Sequence, residues 1–157
     1  MDERTRSLLT ARALVLARPV AHGETREMLE LILFRISGEQ FAVDARRVLE
    51  VFRARDIARL PDSEAPWAGV TVWRGNVLTV LDLRPLFGLP RNTADQMTHI
   101  VVIGRDRAAL GLLVELNRDT LRVAAADLEA WRDSSAWVRA LTPSGLQILD
   151  EDALIDL

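Results

Sequence analysis

The sequence predicts an all-β protein built as two small barrels in tandem, and three observations carry that expectation. Residues 69–90, GVTVWRGNVLTVLDLRPLFGLP, hold two alternating apolar runs that meet at Arg74-Gly75-Asn76 and stop at Asp82-Leu83-Arg84. Ahead of them, residues 29–53 form short apolar runs joined by turn residues; behind them, from residue 99, the scheme is repeated. Side chains on a strand point to opposite faces in turn, so a period of two marks half-buried strands. Short strands with tight links close into a barrel, which removes exposed edges.

The first 28 residues stand apart. Over residues 7–18, Leu8, Leu9, Ala13, Leu16 and Ala17 recur at helical spacing, with Arg4, Arg6, Arg12 and Arg18 on the remaining face. Pro19 ends this amphipathic helix, and AHGETRE links it to the first strand. Arg12 interrupts the apolar stretch, acidic residues precede it, and no apolar run reaches bilayer-spanning length. A cytoplasmic chain without direct membrane insertion is therefore expected.

From Leu29 the pattern is that of strands. LELILFRI is the first, Ser37-Gly38 a turn, and QFAVD the second, with Phe41 and Val43 on one side. ARRVLEVFR leads through a turn or short helix into a third, and RLPDSEAP is a loop. The hairpin supplies strands four and five, its turn using Gly75 and Asn76, which tolerate positive φ. RPLFGLPRNTADQM connects the halves, with a turn of helix at Pro85–Phe87 and stops at Gly88 and Pro90. Then come HIVVIGR, a turn at Asp106-Arg107, ALGLLVEL, a strand near Thr120–Val123, a polar stretch, WVRALT, a Pro143-Ser144-Gly145 turn and GLQILD; EDALIDL closes the chain as a short helix. The expected units are residues 1–28 (helix and linker), barrel one over about 29–83, barrel two over about 98–150, and the helix over 151–157.

Composition narrows the function. With 49% hydrophobic and 27% charged residues, the chain is globular, and a net charge of −3 speaks against a nucleic-acid coat, which must neutralise phosphates. Arg46, Arg47, Arg53, Arg55 and Arg59 could form a basic strip for a nucleic acid or oligosaccharide, but Glu50 and Asp56 interrupt it and only Phe52 joins it. Cysteine is absent, which excludes disulfides and thiol chemistry. His22 and His99 lack the paired spacing of metal ligation or nucleophilic catalysis, and Asp44, Glu50, Asp82 and Asp150 lie at or near strand ends. Binding rather than catalysis is expected. Arg74, at the hairpin's end, offers a guanidinium fork to a partner or pairs locally with Asp82 or Glu50. Trp67, Trp73, Trp131 and Trp137 are large amphipathic faces for core edges or contacts.

The segments FRISGEQFAVDARRVLEVFR (34–53), GVTVWRGNVLTVLDLRPLFGLP (69–90) and IVVIGRDRAALGLLVEL (100–116), in this order and spacing, resemble the CheW family of chemotaxis coupling proteins over about residues 29–155. The resemblance implies two five-stranded barrels of the Src-homology-3 kind, no cofactor, no metal and no enzymatic activity. It implies an adaptor between the cytoplasmic tip of a chemoreceptor (a methyl-accepting chemotaxis protein) and the regulatory domain of a CheA-type histidine kinase. A divergent member could instead serve one partner in a specialised sensory pathway. By the same resemblance Val48, Glu50, Gly69, Arg74 and His99 fall at receptor-binding positions, around a groove whose apolar floor lies between the barrels. Gly111, Leu112 and Leu113 fall in a strand that resembles a kinase-binding signature, with plain core as the other reading. The chain departs from the family pattern at Val72, where Asn is usual, at Thr79 for Pro, at Glu115 for Asp and at Ala140 for Gly.

Overall fold

One long strand ties the molecule together. The computed structural model describes residues 26–90, 97–130 and 136–157. In chain order these form β1 (Met28–Ile36), β2 (Glu39–Asp44), β3 (Val48–Arg53), β4 (Trp67–Trp73), β5 (Asn76–Asp82), α1 (Arg84–Phe87), β6 (His99–Gly104), β7 (Ala108–Ala124), β8 (Glu129–Ala130), β9 (Val138–Leu141), β10 (Gln147–Leu149) and α2 (Glu151–Ile155). The N-terminal helix expected over residues 7–18 lies outside the described residues.

The all-β expectation holds, but the barrels are not consecutive. The first half of β7 pairs antiparallel with β6 and parallel with β5, while its second half pairs antiparallel with β1. One barrel is therefore β3, β4, β5, β6 and the start of β7. The other is β1, β2, the end of β7, β9 and β10, with the two-residue β8 on β9 and β10 parallel to β2. The division at residues 83 and 98 is corrected: the central barrel is inserted into one made from both ends of the described chain. The physical reason is length. Seventeen residues of strand extend on the order of 55 Å at about 3.3 Å each, so ALGLLVEL and Thr120–Val123, expected as two strands, are one that serves both sheets.

Three apolar clusters arise from the alternation. Leu29, Leu31 and Leu33 with Ala42 and Ile148 fill the outer barrel, and Leu78, Val80, Ile100 and Val102 fill the central one. The opposite faces of the same strands meet between the barrels, where Phe34, Phe41, Leu81, Val101, Leu112 and Leu154 are buried together. Burial of this joint core, at about 25 cal/mol per Å² of apolar surface, makes the two barrels one unit. Most of the apolar surface between the barrels is thus buried core, with Val48, Trp67 and Leu113 only partly buried at its margin.

The seam of the central barrel is a backbone one. Ala58 and Val70 exchange both amide hydrogen bonds at 2.8 Å, and the Thr71 hydroxyl donates to the Arg55 carbonyl at 3.1 Å. Gly69 makes this approach possible: at φ +145 a Cβ there would stand 2.2 Å from the Ala58 carbonyl oxygen.

Candidate functional site: the hairpin arginine and its neighbours

The β4–β5 hairpin closes on the pair Trp73 and Asn76, so its two central residues are Arg74 and Gly75, with φ of 48 and 77. Both positive angles define the tight turn that matches strand twist. The expected use of Gly75 and Asn76 is corrected by one residue. Asn76 instead donates from Nδ2 to the Arg74 carbonyl at 3.3 Å. A non-glycine side chain at this φ is uncommon, and Arg74 is held there by its surroundings.

Those surroundings are Glu50 and Trp73. Arg74 Nε donates to Glu50 Oε2 at 3.2 Å, Trp73 Nε1 donates to the same oxygen at 2.7 Å, and the guanidinium carbon lies 4.8 Å from the Trp73 ring centroid. Of the two local partners expected for Arg74, the structure selects Glu50. Asp82 is buried and engaged by Arg84, whose backbone N–H, Nε and Nη2 all donate to its carboxylate at 2.7 to 3.2 Å. Hydrogen bonding to Asp82 raises the Arg84 pKa above its ordinary value against the cost of burial. The Arg74 side chain remains 67% exposed.

Beside this cluster is a concavity of about 640 Å³ at the open end of the central barrel. Leu49, Trp73 and Leu78 form its floor and Arg74, Asp106 and Arg107 its rim. No local pattern in the chain signals it, because it depends on the β6–β7 turn arriving next to the hairpin.

The other expected receptor residues scatter. Val48 and Glu50 lie on β3 across a bulge, so Val48 packs against the joint core while Glu50 reaches the hairpin. Gly69 belongs to the barrel seam. His99 opens β6 opposite Arg53, half-buried, with Nδ1 at 2.8 Å from the Thr98 hydroxyl. The kinase trio is also divided. Leu112 is fully buried, and Gly111 is buried where a Cβ would meet Ile100 Cγ2 at 2.6 Å. Neither offers a side chain to a partner, and only Leu113 is partly exposed. β7 runs between two cores at this point, so both its faces are covered.

The basic strip does not assemble. Arg46 is paired with Asp44, and Arg47 with Asp152. Phe52 packs against the central core. Trp67, Trp73 and Trp137 are half-buried, while Trp131 lies outside the described residues.

A second charged cluster joins β2 to the closing helix. Buried Glu151 accepts the Asp44 backbone N–H at 2.8 Å, and Asp152 accepts from both Arg47 and Arg105. Burial raises the Glu151 pKa, partly offset by that hydrogen bond and by Arg139. For Asp44 burial is overcome by hydrogen bonds from the Arg46 side chain and backbone, and its pKa is lowered. Among the described residues no helix is long and apolar enough to cross a membrane.

Comparison with known proteins agrees with this architecture. Residues 30–157 match the CheW-like domain family. A chemotaxis protein CheW of Helicobacter pylori is 26% identical over 106 residues, 68% of this chain and 64% of that protein, so the match spans just under two thirds of its length. A chemotaxis protein CheW of Bacillus subtilis is 24% identical over 135 residues, 81% of this chain and 86% of that protein. Among solved structures, the scaffolding protein TtCheW of Thermoanaerobacter tengcongensis superposes with a TM-score of 0.71 at 18% identity, covering 80% of this chain and 86% of that one, which shows a shared fold.

Proposed function

The chain belongs to the CheW-like domain family, and from that premise we propose that it is a non-catalytic cytoplasmic adaptor coupling a chemoreceptor's cytoplasmic tip to the regulatory domain of a CheA-type histidine kinase. The observation that carries this reading is Arg74. It occupies a strained turn position, is held at Nε by Glu50 and over the ring of Trp73, and keeps its remaining guanidinium nitrogens at the surface. A residue maintained against its backbone preference, with its donors turned outward, is suited to fix register on a partner's carboxylate.

Receptor recognition would use the Arg74 guanidinium with Glu50 beside it, Gly69 and Val48 supporting the frame and His99 standing at the far end of β6. On the kinase side, Gly111 and Leu112 support β7 from within and Leu113 is the member that could touch. Each interface is modest by itself. In an array, effective concentration makes two weak contacts persist together.

Separate pull-downs with a kinase regulatory domain and a receptor-tip fragment test the proposal. The native chain is expected to capture both. Arg74→Glu should lose the receptor fragment and keep the kinase domain, with a nearly unchanged thermal melt. Equal capture of receptor by the variant removes the site, and capture of neither partner by the native chain removes the function.

A further inference from the structure

The closing helix reaches across to the open end of the central barrel. Asp152, in the first turn of α2, accepts hydrogen bonds from two arginines that belong to different parts of the fold. Arg47 lies in the link from β2 to β3, and Arg105 follows β6 in the turn that leads to β7. The two differ in shelter: the Arg47 side chain is 20% exposed and that of Arg105 71%. Arg47 is therefore the anchored side of the link, and Arg105 the side for which water competes. Hydrogen bonding from Arg47, and after it from Arg105, lowers the Asp152 pKa, so the carboxylate stays charged.

α2 is fixed independently of Asp152. Leu154 is fully buried in the joint core, the Asp150 side chain accepts the Ala153 N–H at 3.0 Å, and Glu151 accepts the Asp44 N–H. The β6–β7 turn has no such support. Among the described residues, the 2.8 Å bond from Arg105 Nη2 to Asp152 is the only hydrogen bond or ion pair made by the side chains of Arg105, Asp106 and Arg107. The turn is also folded closely on itself, since a Cβ on Gly104 would stand 2.0 Å from the Arg107 carbonyl oxygen. A displacement of Arg105 thus carries Arg107 with it.

This turn walls the hairpin concavity. Asp106, Arg107 and Ala108 line the space of about 640 Å³ whose floor is Leu49, Trp73 and Leu78. The same three residues also line a second space, of about 500 Å³, with Asp152, Ile155 and Asp156 of the closing segment. The turn is thus shared between the hairpin and the closing helix, and a single side-chain bond ties it to the helix.

We propose that Asp152 is a positioning residue for the hairpin surface: by holding Arg105 it fixes the β6–β7 turn as one wall of the concavity beside Trp73, so that release of the closing helix is felt at the hairpin. The link belongs to the folded chain alone and stands whether or not the receptor-coupling reading does.

Amide exchange and the Trp73 indole N–H resonance, both measured on the full chain, test this in Asp152→Asn, Arg105→Gln and Arg105→Lys. In the first two, the amides of Arg107–Ala109 should exchange roughly two- to fivefold faster, the size of a lost exposed ion pair. The indole resonance should move with them, because Trp73 faces the altered concavity. Arg105→Lys keeps the charge and should restore most of the native behaviour. The Leu154 amide, bonded to the Asp150 carbonyl at 3.1 Å, should exchange at its native rate in Arg105→Gln. A pair that served only to stabilise the fold would loosen α2 and the turn together. An Arg105→Gln variant with native turn exchange or an unmoved indole overturns the proposal. So does a turn that loosens only as Leu154 exchange rises with it, or a lysine variant that behaves as the glutamine one. No partner enters these measurements, so their failure leaves the receptor and kinase pull-downs to be judged separately.

Discussion

Trp73 and Glu50, 23 positions apart, meet at the mouth of the central barrel, where the indole N–H donates to Oε2 at 2.7 Å. The same oxygen accepts from Arg74 at 3.2 Å. One carboxylate oxygen thus links β3 to the hairpin and sets where the arginine points. Trp73 is anchored in turn by the central core, so the exposed guanidinium is tied to a packed element through a single intermediary.

Trp73→Phe isolates that intermediary. The ring and most of its packing remain, but the N–H that holds Glu50 is lost. Stability should fall by about 1 kcal/mol, the net value of a hydrogen bond to a charged acceptor that is only partly buried. The more specific readout is the Arg74 Nε–H resonance, which should shift and broaden as Glu50 is released. An unchanged resonance would mean that Glu50 and Arg74 hold each other without the indole.

Gly69→Ala tests the seam. The new methyl would stand 2.2 Å from the Ala58 carbonyl oxygen at a φ of +145, so the paired hydrogen bonds between Ala58 and Val70 could not persist unaltered. A loss of about 2 to 4 kcal/mol is expected in denaturant unfolding. Receptor binding measured on the fraction still folded should be near native. A full-strength fold with lost binding would return Gly69 to the contact surface.

The hairpin was legible in the sequence because its signal is local: two alternating runs and a glycine at the turn fix both strands and their link. The nesting of the barrels was not, because alternation reveals which side of a strand is apolar and not which strand it meets. β7 shows the limit most clearly. Leu110, Leu112 and Val114 face the joint core while Gly111 and Leu113 face the central one, so a strand between two interiors has no polar side to mark it. Arg74 was found because of its place at a turn. Its partner emerged only in the fold, since Glu50 reaches it across strands.

Two carboxylates at the closing helix make stability depend on pH in opposing ways, Glu151 through its burial and Asp44 through the hydrogen bonds it accepts from Arg46. The Glu151 pKa is raised above 4.5, so folding binds its proton more tightly than the unfolded chain does. Its contribution is present below the unfolded value and is lost as pH rises through the raised one. The Asp44 pKa is lowered below 3.8, so its contribution is present above that value and is lost as pH falls through the lowered one. Glu151→Gln retains an acceptor for the Asp44 N–H without the buried charge. It should match or exceed the native melt at neutral pH, with the difference shrinking on acidification towards about pH 4. Glu151→Ala, which leaves that N–H unpaired, should cost about 1 to 3 kcal/mol. A constant Gln-to-native difference across the titration would show that the Glu151 charge plays no part.

Arg74→Asn separates what the fold prefers from what recognition requires. At φ 48, asparagine is among the best-tolerated non-glycine residues, so the turn gains where arginine is strained. Against this stand the exposed ion pair with Glu50, which contributes about 0 to 1 kcal/mol, and the stacking of the guanidinium on Trp73. These terms nearly cancel, and the variant should melt at or slightly above the native temperature. Its capture of a receptor-tip fragment should nevertheless fall roughly tenfold or more, because the only cation on the hairpin is gone. A clear loss of stability would mean that Arg74 holds the barrel end together, and undiminished capture would mean that the turn's strain has some other origin.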